Sequence, residues 1–253
     1  MTAIEICLDT EPFDNLARQV RDACVGGAAR IELCAHMNKQ GLTPSYAAMV
    51  AAREAADELA ELLVMIRPRD GDFCYSANEI QIMAMSILQA ARAGADGVVF
   101  GCLDVQQRID AEAMALLLDT AKSAGLAVTF HRAFDLIEDQ AAALESLIEW
   151  RVNRLLSAGV PWGSDKGVLY GLQALRTLLQ QADGRIELVI GGGLRAHHVL
   201  ALREGLLRGA GQGAFSLHCH SAALSRGRVD ASKVADLVCL AGLPLDELKA
   251  QHG

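Results

Sequence analysis

Aromatic residues are scarce: two Trp, three Tyr and six Phe make up 4% of the 253 residues. A chain of this length buries a large core, so Ala, Leu, Val and Ile must fill it. They are abundant enough, because hydrophobic residues reach 52%. Positive charge is in deficit too: 23 Lys plus Arg face 31 Asp plus Glu, for a net charge of -8. That balance argues against sequence-independent binding of nucleic acid, which needs excess cation. No apolar run approaches the roughly 20 residues of a membrane-spanning helix, so no membrane span is expected. Pro- or Ser-rich linkers and low-complexity tracts are missing, which predicts one domain over residues 1–253. The start, Met1-Thr2-Ala3-Ile4-Glu5, lacks a basic segment followed by an apolar stretch. Seven cysteines are scattered and never form a Cys-x-x-Cys pair. Odd in number and without an export signal, they read as free thiols of a cytoplasmic protein.

What the chain does have is repetition. Short apolar, β-branched runs occur at Ile4–Leu8, Arg30–Cys34, Leu63–Arg67, Gly97–Gly101, Ala127–His131, Arg154–Ser157, Ile186–Ile190 and Ala214–His220. Ala/Leu-rich stretches with helical spacing lie between them, such as Ser45–Ala60, Ala77–Ala93, Ala111–Ala124 and Ala196–Arg208. Ser45 and Ser76 precede helical patterns as N-caps, and Gly27 and Gly94 can close helices in the left-handed conformation. Strands alternating with helices imply a parallel sheet, and eight repeats favour closure into a (β/α)8 TIM barrel.

Strand parity then sorts the side chains. Alternate residues face the helices, and these must be apolar. With Ile4, Ile6 and Leu8 outward, Glu5 and Cys7 point inward; with Ile31 and Leu33 outward, so do Glu32 and Cys34. The same test turns Met65, Arg67, Thr129, His131, Ser216, His218 and His220 toward the axis. Unpaired buried charge costs several kcal/mol, so these groups must pair or line a wet pocket. One arrangement is a salt-bridge layer with Glu5 and Glu32 against Arg67. The other is a site at the C-terminal strand ends, where barrels build their active sites.

The loops suggest chemistry. Arg67 and Arg69 flank a rigid Pro68 and form a candidate clamp for a carboxylate or phosphate. His131, Arg132 and Asp135 follow strand 5, where a histidine oriented by its neighbours could move a proton. Gly191, Gly192 and Gly193 after strand 7, with His220 and Ser221 after strand 8, fit anion binding on backbone N–H groups. The Gly209–Gly213 stretch is not a dinucleotide fingerprint, because it precedes a strand, and no organic cofactor is expected. Cys7 and Cys34, inward on adjacent strands, would suit a soft ion such as Cu(I). A small-anion barrel enzyme of lyase, isomerase or aldol type, with His131, Glu32 and Arg67 as catalytic candidates, is the competing reading.

The segments "IEIC" (4–7), "RIELCAHMNKQGLTPS" (30–45), "MIRPRDGDFCYS" (65–76), "GADGVVFGCLD" (94–104), "VTFHRAFD" (128–135), "GGG" (191–193) and "HSA" (220–222) resemble the CutC family of copper homeostasis proteins. The resemblance runs from strand 1 to strand 8. It implies a cytosolic (β/α)8 barrel, a homo-oligomer (dimer or tetramer), linked to copper tolerance. It also implies Cu(I) held through Cys7 and Cys34. Asn38, Lys39 and Gln40 stand where the family tends to glycine-rich turns, and His218 departs from its pattern.

Overall fold

Eight parallel strands close on themselves in the order β1-β2-β3-β4-β5-β6-β7-β8, with β8 hydrogen-bonded back to β1. They are β1 (Ile4–Asp9), β2 (Arg30–Cys34), β3 (Glu61–Met65), β4 (Gly97–Phe100), β5 (Ala127–Phe130), β6 (Arg154–Ser157), β7 (Glu187–Ile190) and β8 (Phe215–Cys219). The helices between and after them are α1 (Leu16–Val25), α2 (Tyr46–Ala56), α3 (Ala77–Arg92), α4 (Ala111–Ser123), α5 (Gln140–Glu149), α6 (Leu172–Ala182), α7 (Ala196–Leu207) and α8 (Ala231–Gly242). The computed structural model describes residues 2–207 and 215–243. Ala214 at the start of the strand 8 run, Arg208 at the end of a helical stretch and the Gly209–Gly213 segment lie outside the described residues.

The local signals act as expected. Ser45 caps α2 by accepting the Ala48 N–H, and Ser76 forms a reciprocal capping box with Glu79. Each such cap contributes about 1 kcal/mol. Gly27 and Gly94 adopt φ of 87° and 82° just before β2 and β4. The outward residues Ile4, Ile6, Leu8, Ile31, Leu33, Val64, Val128 and Leu217 are buried under the helices. Burying each of these large aliphatic side chains contributes about 2 kcal/mol. Strand 3 begins earlier than the sequence suggests, at Glu61, and ends at Met65. Arg67 therefore stands just past the strand, in the β3–α3 loop.

The barrel interior is stratified. At its N-terminal end, Arg30 donates to Glu5 Oε2 (3.0 Å), Glu187 Oε1 (2.6 Å) and Ser216 Oγ (2.5 Å). Arg154 reaches Glu61 (2.8 Å) and Glu187 (3.4 Å) in the same ring. A salt-bridge layer thus exists, but Arg30 rather than Arg67 neutralises Glu5. Arg30 has the same inward parity as Glu32 and sits opposite Glu5 in the β1/β2 register. Arg67 lies six residues beyond Glu61, which pairs with Arg30, and so stands well above that layer. Above the ring, Cys7, Cys34, Leu63, Met65 and Val99 form a separate apolar cluster inside the barrel.

Candidate functional site

A cavity of about 420 Å³ opens above this cluster at the C-terminal ends of the strands. Cys7, Glu32, Cys34, Met65, Arg67, His131, Arg132, Gly192, Gly193, His218, His220 and Ser221 all line it. Most residues that parity and loop position single out therefore converge on one space. Two do not. Arg69 turns away and binds Glu79 (2.6 Å) and Asp72 (2.9 Å). The proposed Arg67/Arg69 clamp is thus not assembled, because Asp72 in the preceding loop and Glu79 in the first turn of α3 claim Arg69. Gly191 lies behind the wall, where a Cβ would come within 3.2 Å of His218.

The floor is a thiol pair. Cys7 Sγ donates to Cys34 Sγ across 3.8 Å, and Met37 Sδ lies 3.8 Å from Cys7 Sγ. Met37 comes from the β2–α2 loop and has no periodic signal. Its main-chain N–H donates to Asp9 Oδ2 (3.1 Å), which pins the loop over β1. His36 and Gln40, on either side, hold left-handed backbone at φ 52° and 65°. Gly41 follows at φ 85°, and a Cβ there would lie 3.2 Å from Cys34 Sγ. The loop therefore passes close enough to bring the thioether to the thiols only because position 41 is glycine.

Charge surrounds the pair. His218 Nδ1 lies 2.8 Å from Glu5 Oε1, and its Nε2 lies 3.4 Å from Glu32 Oε2. Burial opposes the imidazolium, but the Glu32 charge and hydrogen bonds to Cys7 and Glu5 raise His218 well above its ordinary pKa. Burial would raise Glu5, yet the His218 hydrogen bond and the His218 and Arg30 charges pull it down. Burial and the neighbouring Glu5 charge raise Glu32. The hydrogen bond to Cys34, then burial, push Cys7 well above the ordinary thiol range. Cys34 is eased down by the Cys7 hydrogen bond, but burial and nearby carboxylates outweigh this and push it up to about 11. Glu32 is thus paired with His218, not with His131.

The opposite wall is aromatic and cationic. Phe73 packs edge-on against His131 (4.8 Å) and Trp162 (5.4 Å). The Arg67 guanidinium lies 5.0 Å from the Phe73 ring, and the Arg132 guanidinium 5.0 Å from Trp162. Arg132 donates to Asp135 (2.7 Å), which also accepts from Ser157 Oγ (2.6 Å) and the Ala158 N–H (3.1 Å). Asp135 therefore orients Arg132 and not His131. His131 Nδ1 instead accepts the Ala133 N–H (3.3 Å), so Nε2 carries the proton. Burial, then the Arg67 charge, lower His131 to about 3. At neutral pH it is an uncharged hydrogen-bond donor and a poor base. Trp162 gave no sequence signal, since it lies in an irregular loop between β6 and α6.

The molecule is thus a (β/α)8 barrel that holds a pair of soft sulfur donors beneath a polar cavity. A sequence model of the CutC family matches residues 2–212, and the chain belongs to the CutC family. It is 38% identical over 217 residues to the human copper homeostasis protein cutC homolog, covering 85% of this chain and 72% of that protein. It is 42% identical over 179 residues to the family protein CutC of Bacteroides fragilis, covering 71% and 68%. The crystal structure of CutC from Streptococcus agalactiae superposes with a TM-score of 0.73 at 29% identity, over 86% of this chain and 98% of that one. A thiamine phosphate pyrophosphorylase from Pyrococcus furiosus, 16% identical with a TM-score of 0.58, shares the barrel alone.

Proposed function

We propose that this chain is a cytoplasmic copper homeostasis protein that takes Cu(I) on the Sγ atoms of Cys7 and Cys34, with Met37 Sδ as a third donor. One observation carries the reading: two buried thiols 3.8 Å apart, with a thioether 3.8 Å from one of them, at the floor of an open cavity. Thiolate and thioether are the soft ligands that select Cu(I). Sulfur atoms at that separation subtend roughly 110° at an ion with bonds of about 2.3 Å, an ordinary coordination angle. Glu32 Oε1 is buried without a hydrogen-bond partner beside the thiols, so it can accept a proton that a thiol gives up. The names of the human and Streptococcus relatives support the copper association. Exposed Ile82, Met85 and Leu88 on α3 give a homo-oligomer an apolar face to bury. Anaerobic loading with one equivalent of Cu(I), read by X-ray absorption, tests the site. Sulfur-only scattering at two or three ligands is expected; a shell of nitrogen and oxygen would refute it.

A further inference from the structure

The copper reading uses the floor of the cavity and leaves its wall unexplained. Arg67 is almost fully buried, and its terminal nitrogens donate to main-chain carbonyls of Lys39 (3.0 Å), Gln40 (3.4 Å), Gly41 (3.3 Å) and Gly71 (2.9 Å). Among the described residues no carboxylate lies within ion-pair distance of it. A buried guanidinium without a counter-ion is costly. Its Nε–H has no partner either, nor does His131 Nε2. Both residues line the cavity, and both pack on the Phe73 ring. A third orphan, Glu32 Oε1, is an acceptor in the wall of the same cavity. Buried polar groups are rarely left unpaired, and three side chains that line one cavity each carry such an atom.

We infer that the cavity binds a small organic hydroxycarboxylate, its carboxylate on Arg67 Nε and His131 Nε2 and a hydroxyl on Glu32 Oε1. Two free donors fit the two oxygens of a carboxylate. The Glu32 carboxyl in the same cavity disfavours the second charge of a phosphate dianion. The anion would supply the counter-ion that Arg67 lacks. Arg132, held by Asp135 at the cavity edge, adds positive potential to draw it in. The inference does not depend on copper, because neither thiol takes part.

Calorimetry and thermal melting with D-glycerate, glycerol and glycerol 3-phosphate test it on the full chain. D-glycerate should bind saturably and raise Tm, and glycerol should do neither. Replacing Arg67 risks the fold, since Arg67 ties two loops together. His131→Asn is the sharper variant: its side-chain oxygen can still accept the Ala133 N–H, while the donor into the cavity is lost. Glycerate affinity should fall about tenfold or more, as for loss of a hydrogen bond to a charged group. Cys7→Ser/Cys34→Ser should bind glycerate like the wild type, which separates this site from the copper site. No glycerate binding, equal binding of glycerol, preference for glycerol 3-phosphate, wild-type affinity in H131N or loss in the double serine variant would each overturn the inference.

Discussion

Cys7 Sγ and Cys34 Sγ lie 3.8 Å apart although 27 residues separate them. The β1/β2 register makes this contact, since Cys7 pairs with Glu32 and Asp9 with Cys34. Both thiols are held protonated, Cys34 up to about 11. A metal ion must therefore displace their protons. Cu(I) affinity should fall as pH drops through the neutral range, by about tenfold per pH unit for each proton displaced. Competition titrations over a pH series measure this, and a flat profile would exclude both thiols as ligands.

Met37 tests the third donor. Met37→Leu keeps nearly the same volume, so the fold should be unaffected. The thioether is lost, and Cu(I) affinity should fall about tenfold. A chelator competition with a matched melting curve separates the two effects. Unchanged affinity would leave a site of two thiolates.

His131 should make stability pH-dependent. Its folded pKa is lowered from 6.5 to about 3. Between those values the unfolded chain binds a proton that the folded chain refuses, so stability is lost as pH falls. The slope is about 1.4 kcal/mol per pH unit within that window. His218 is raised, and its contribution runs the other way, present at low pH and lost as pH rises. Urea denaturation of the wild type and H131N across the acid range isolates the His131 part. H131N should be flatter by that slope; an identical profile would mean that His131 is solvated.

Arg30 is the keystone of the N-terminal ring. Arg30→Met leaves Glu5 buried with one cation fewer and should destabilise the barrel by about 3–5 kcal/mol. The urea midpoint at constant m-value reads this. A loss below about 1 kcal/mol would mean that solvent reaches Glu5.

The barrel and the thiol pair were legible because both follow from period-two alternation. Once Ile4, Ile6, Ile31 and Leu33 must face the helices, Cys7 and Cys34 have only the axis left. What alternation cannot reveal is partnership. Arg30 obeys the same parity as Glu32, yet which carboxylate it neutralises depends on register and on Glu187 from the far side of the barrel. Arg67 reads as an ion-pair partner, but the chain leaves β3 before it, and its loop turns the guanidinium onto main-chain carbonyls. Met37 and Trp162 lie in loops, where no period marks the side chains. Left-handed backbone at His36 and Gln40, not side-chain type, aims Met37 at Cys7.

The proposed Cu(I) site rests on Cys7 and Cys34 acting together. Titration of the reduced protein against a chromogenic Cu(I) chelator, beside Cys7→Ser/Cys34→Ser, tests it most directly. Wild-type protein should hold one Cu(I) tightly per chain, and the double variant none that competes with the chelator. Equal affinity in the two proteins would contradict it.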